Sequence, residues 1–100
     1  MLKDKLIDTI EPQIYGLAVR YLAGETLRAL QPESGLSFAL MHKKMLLLCR
    51  LIGHREGLTF DSFHAMKPWK LKLMRLIERE HQVRFAPTDA DAAPQLSPAG

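Results

Sequence analysis

Four histidines, one cysteine and a row of basic side chains are the residues of this 100-residue chain whose types suit chemistry or recognition. His42, His54, His64 and His81 form no i,i+4 pair on a helix, and only Cys49 is there to join them. That spacing does not build a tetrahedral metal site. The four read instead as scattered surface groups that lend the chain a pH-dependent charge. Cys49 lies among Leu46, Leu47, Leu48 and Leu51, where a thiol is expected to be buried and unactivated. Carboxylates are few, and most stand in helical first turns or beside basic residues, where they cap or pair. There is no Gly-rich phosphate loop. No catalytic set, no metal site and no cofactor are therefore expected.

The basic residues have more order. Lys72, Arg75 and Arg79 recur at spacings of three and four, which places them on one helical face. Trp69, Leu73, Leu76 and Ile77 fall on the opposite, apolar face, so Trp69 reads as a core anchor rather than a base-stacking platform. With Lys67, Lys70 and Arg84 the row makes a stripe suited to phosphates. Such a stripe positions a protein on a duplex; base readout would fall to polar groups near the helix start, Lys70 foremost. The alternative is a solvated face of a core helix.

The total charge conceals this asymmetry. The formal net charge is +3. Residues 1–41 hold four basic and five acidic side chains, whereas residues 42–85 hold ten basic and four acidic and all four histidines. Residues 86–100 add two aspartates.

These residues must be carried by helices. Residues 36–52 (LSFALMHKKMLLLCRLI) show two apolar stripes. Phe38, Met41, Met45, Leu48, Cys49 and Ile52 form one, and Leu36, Leu40, Leu47 and Leu51 the other. A helix of this kind is packed on two sides. Ser34 is its expected N-cap, and Gly53 and Gly57 its stop signals. Residues 2–10 predict a short helix. A second helix is expected over 11–30, opened by Pro12, with residues 31–35 (QPESG) as a loop. Its stripe of Ile14, Leu17, Ala18, Tyr21 and Leu22 suits core packing or a dimer seam. Asp61 or Thr59 is placed to cap a short helix over 62–66. A last helix is expected over 68–81, and residues 82–85 (QVRF) alternate as a short strand or continue in extended form. Residues 86–100, with three prolines and no aromatic side chain, are expected to be a disordered tail.

Residues 45–85, MLLLCRLIGHREGLTFDSFHAMKPWKLKLMRLIEREHQVRF, carry a leucine-rich helix, a Gly-Leu-Thr-Phe-Asp link, a short helix, a tight turn, a basic amphipathic helix and a short Val-Arg-Phe segment. This order resembles a helix-turn-helix of winged-helix-like type. The resemblance implies that the basic helix enters the major groove and that the segment after it starts the wing.

The expected fold is all-α: a small bundle of four or five helices around the helix at about 36–52, in one domain over residues 1–85. Hydrophobic residues are 47% of the chain, dense for so small a body, which suggests a homodimer through Ile14, Leu17, Tyr21 and Leu22. No apolar run is long enough to span a bilayer, and the start of the chain lacks the continuous apolar core of a signal peptide. A cytoplasmic protein with no membrane association is expected. The expected function is non-enzymatic regulation by binding nucleic acid, duplex DNA first, through Lys67, Lys70, Lys72, Arg75, Arg79 and Arg84. The alternative is a protein-interaction module, an adaptor or inhibitor, that uses the same basic face or its apolar helices.

Overall fold

A computed structural model describes residues 2–85, with side chains from Lys5 onwards. The tail expected over 86–100 lies outside the described residues. Five α-helices follow one another: α1 (Leu2–Asp8), α2 (Pro12–Leu22), α3 (Leu27–Ser34), α4 (Phe38–Arg55) and α5 (Lys70–Phe85). One 3-10 turn, Lys67–Trp69, precedes α5, and no strand occurs among the described residues. The bundle is all-α, as expected. None of its helices is long and apolar enough to cross a membrane.

Helix α4 is the hub. It touches α1, α2, α3 and α5, while the broadest single pairing is α2 against α5. The inner stripe of α4, Met41, Met45, Leu48, Cys49 and Ile52, is buried. Its second stripe is covered only in part. Leu51 is buried, Leu36 and Leu47 are half-buried, and Leu40 is exposed, as is Phe38 at the helix start. From α2, Ile14, Tyr15, Leu17, Ala18 and Leu22 close the core against Leu73 and Ile77 of α5.

The chain departs from expectation at its corners. The helix expected over 11–30 is two helices. It stops at Leu22 because Gly24 adopts φ +120°, a conformation that glycine alone takes without strain. Thr26 then starts α3, its hydroxyl accepting the Ala29 N–H at 3.1 Å. The QPESG stretch is not a loop: Gln31 to Ser34 form the second half of α3. Pro32 removes one intrahelical bond there, which a short helix near its end tolerates, and Gly35 closes the helix with φ +70°. Ser34 does not cap α4. It is buried, donates to Gln31 O at 2.7 Å and accepts from Leu36 N at 3.0 Å, which fixes the α3–α4 corner. The cap of α4 is Ser37, which accepts from Leu40 N.

At the other end of α4, Gly53 is not a stop. It lies inside the helix, where a Cβ would meet the Phe60 ring at 3.0 Å, so the loop packs on bare backbone. Gly57 turns the chain with φ +78°. Residues 62–66 form turns rather than a helix, held by Ser62 Oγ accepting from Ala65 N and by the buried Phe63 and Met66. Residues 82–85 are the last turn of α5, neither strand nor extended chain.

Ion pairs staple the elements across the outside. Arg20 of α2 grips Glu25 and Glu33. Lys44 of α4 holds Glu11, just before α2, at 2.8 Å. Arg84 of α5 pairs with Glu80 and with Asp8 of α1, and Glu80 also takes Arg55 of α4.

Candidate nucleic-acid interface

Helix α5 turns Leu73 and Ile77 into the core. At 3.6 residues per turn this leaves positions 72, 75 and 79 on its far side, and all three side chains are exposed. Lys67 and Lys70, at the 3-10 turn and the helix start, are exposed as well. The five cations line one shallow, open groove together with Pro68, Leu71 and Leu76. Lys72 to Arg79 alone spans roughly 10 Å of helix at 1.5 Å per residue.

These cations share one groove and, among the described residues, have no acid partners; Lys5, Arg28, Lys43 and Arg50 are also without one there, but they do not line it. Arg20, Lys44, Arg55 and Arg84 are each committed to carboxylates. Among the described residues, Lys67, Lys70, Lys72, Arg75 and Arg79 form no ion pair and no side-chain hydrogen bond. The acids of α5 stand elsewhere. Glu80 is engaged by Arg55 and Arg84, and Glu78 lies on the side facing α2, beside Val19 and Arg20.

Arg84, expected in the stripe, is not brought to it. Its guanidinium donates to Glu80 and Asp8, and those bonds raise its pKa above the ordinary arginine value. Trp69 is not a core anchor. It remains 40% exposed, at the end of the 3-10 turn that precedes α5. The expected dimer seam is occupied from within. Ile14, Leu17 and Leu22 are buried in the core of the single chain, and Tyr21 packs on Phe63 with ring centroids 4.8 Å apart.

No protein-family model, curated protein or solved structure matches this chain. Its site therefore has to be judged on its own geometry.

Cys49 and two of the histidines are taken up in packing. Burial pushes the Cys49 thiol up to about 12, where it is neither nucleophile nor metal ligand at neutral pH. His42 is half-buried and packs edge-on to Phe63 at 4.7 Å, and His81 stacks on Tyr15 at 5.5 Å. Both pack against aromatic rings and are only partly exposed; the side chains of His54 and His64 reach the surface. Among the described residues no three His, Cys, Asp or Glu side chains are grouped to hold a metal ion.

Two features lie beyond the expectations from sequence. Leu71, at 71% exposure, sits within the basic groove. The helical count already places it beside Lys72 and Arg75, so the sequence did carry that signal. A pocket also forms between the end of α2 and the segment before α5. Its two walls are some forty residues apart in the chain, and no local pattern announces it.

Proposed function

We propose that this chain is a small, non-enzymatic regulatory protein that binds nucleic acid, duplex DNA first, along the outer face of α5. Lys67, Lys70, Lys72, Arg75 and Arg79 contact phosphates. The observation that carries this is the concentration of five cations without acid partners in one exposed groove, whereas the other unpaired basic residues, Lys5, Arg28, Lys43 and Arg50, stand outside it. Binding then draws on release of the counterions condensed on the duplex. Of the helix-turn-helix-like order expected over residues 45–85, residues 62–66 form turns and residues 82–85 continue α5, so the basic face of α5, rather than that order, carries the reading. Phosphate contacts set position; Lys70, at the start of α5, is the side chain best placed to reach a base edge.

One observation favours a second reading. Leu71 lies exposed among the cations, with Trp69 nearby in sequence and also exposed. A basic face with apolar side chains in it also suits an acidic amphipathic protein segment.

Fluorescence anisotropy on a labelled mixed-sequence duplex at several salt concentrations tests the proposal. Five phosphate contacts predict a log–log salt slope of about −4.5, and replacing Lys72, Arg75 and Arg79 with Ala should flatten it by about 2.7. Arg28→Ala, on α3, should leave it unchanged. No binding at low salt, or an unaltered slope in the folded triple variant, defeats the nucleic-acid reading. Leu71→Ser separates the two readings: it should spare duplex affinity and weaken an acidic amphipathic peptide.

A further inference from the structure

The C-terminal end of α2, the turn leading into α3 and residues 63–70 border a half-open pocket of about 370 Å³. Its walls are apolar: Tyr21, Leu27, Phe63 and Met66, with the Tyr21 and Phe63 rings 4.8 Å apart. Lys67 and Lys70 border it, and neither has an acid partner among the described residues. Glu25 is the one carboxylate in the lining, and Arg20 holds both of its oxygens, at 2.8 and 2.7 Å. The pocket thus offers an apolar interior and two uncommitted positive charges. Its size falls in the range of small-molecule sites, about 300–1,000 Å³.

We infer that this pocket binds a small apolar monoanion, an aryl- or alkyl-carboxylate in class. The hydrocarbon body lies against Tyr21, Leu27, Phe63 and Met66, and the carboxylate meets Lys67 and Lys70. A cation is repelled by the two lysines. A sugar finds too few polar partners along walls of this composition.

Lys67 and Lys70 also line the basic groove. A bound carboxylate neutralises two of the five groove cations. On the nucleic-acid reading, on which this second step rests, the ligand is an effector that weakens duplex binding.

The test titrates the full chain with 4-phenylbutyrate and, in parallel, with the uncharged 4-phenylbutyramide, followed by amide chemical shifts. Saturable shifts are expected at Tyr21, Leu27, Phe63 and Met66. The carboxylate should bind roughly three- to tenfold tighter than the amide, the worth of two partly exposed charge pairs. In a Lys67→Gln/Lys70→Gln variant the carboxylate should fall to the affinity of the amide while the amide is unaffected. Both lysines are exposed, and the same spectra show that the variant is folded. The pocket assignment is overturned by an absence of saturable shifts up to about 10 mM, by equal affinity for the two compounds, or by unchanged carboxylate affinity in the variant. Duplex anisotropy with saturating 4-phenylbutyrate reads the second step separately. Weakened duplex binding supports the effector role, and unchanged binding overturns it. A chain that binds the carboxylate but no duplex at all overturns the groove reading and the effector role together and leaves the pocket standing.

Discussion

Replacing Tyr15 with Phe should make this protein more stable. Tyr15 is fully buried, and its hydroxyl has no hydrogen-bond partner among the described residues. The charged groups around it, Arg84, Glu80, Arg55 and Asp8, are bound to one another instead. A buried hydroxyl left unpaired costs about 1–3 kcal/mol. Phenylalanine keeps the ring and therefore its contacts with His81 and Phe85, at 5.5 and 5.2 Å between centroids. The expected gain is about 1 kcal/mol, the low end of that range, because deleting the oxygen leaves a small void. In a domain of this size that gain raises Tm by roughly 4–8 °C. Thermal and urea denaturation followed by circular dichroism measure it, with an unchanged urea m-value as the check that the unfolding reaction is the same. A second signature comes from pH. Burial raises the Tyr15 pKa above the ordinary value of 10.0. Below pH 10 folded and unfolded chains both keep the proton; above it the unfolded chain loses the proton first, so stability falls as pH rises towards the folded pKa. The margin between Tyr15→Phe and wild type should therefore widen above about pH 10. A variant less stable than wild type by more than about 0.5 kcal/mol would show that the hydroxyl is satisfied after all, and the reasoning fails.

Three other outcomes follow from the core and the staples. Cys49, buried and with its pKa raised to about 12, should resist a thiol reagent at neutral pH until urea unfolds the chain; rapid labelling of the folded protein would contradict its burial. Glu11 has its pKa lowered chiefly by the hydrogen bond from Lys44, so its contribution is present above the unfolded pKa and is lost as pH falls through the folded one. Glu11→Gln should flatten the acid limb of a stability–pH curve, and an unchanged limb sinks the claim. Gly53→Ala should destabilise wild type, because its Cβ would press on the Phe60 ring at 3.0 Å. In a Phe60→Ala background the same change should stabilise by about 1 kcal/mol, the helix-propensity gain over glycine. Additive effects in the urea-unfolding cycle would refute that contact.

The helical class and the hub helix were legible because both rest on a 3.6-residue period. Met41, Met45, Leu48, Cys49 and Ile52 repeat at that spacing, and all are buried. The corners were not legible, because tertiary partners decide them. Ala23-Gly24-Glu25 reads as a continuation of α2 until Arg20 is seen clamping Glu25 and Glu33 across the turn. QPESG reads as a loop by composition, yet Gln31 donates to Leu36 O and Ser34 bonds back to Gln31 O, which holds Pro32 in a helix. Trp69 was misplaced because the helical count tells which side a residue shares with Leu73 but not how far the core extends past the first turn of α5, and Trp69 stands before that turn.

The basic face was legible for the same reason as the core: Lys72, Arg75 and Arg79 are its complement on a single helix, and one period fixes both. Arg84 shows where that logic stops. Glu80, four residues before it, was a visible partner, but Asp8 lies 76 positions away, and no pattern within one helix exposes a partner on another. Spacing tells which charges share a face; it does not tell which are already spent on the fold. That distinction matters more for function than the count of basic residues. A cation tied to a carboxylate must break that pair before it can take a phosphate, and the exchange returns little. A cation without an acid partner gains the full counterion release. Of the cations that folding leaves uncommitted, five are gathered in one groove, and a phosphate or a carboxylate ligand competes with solvent alone for them.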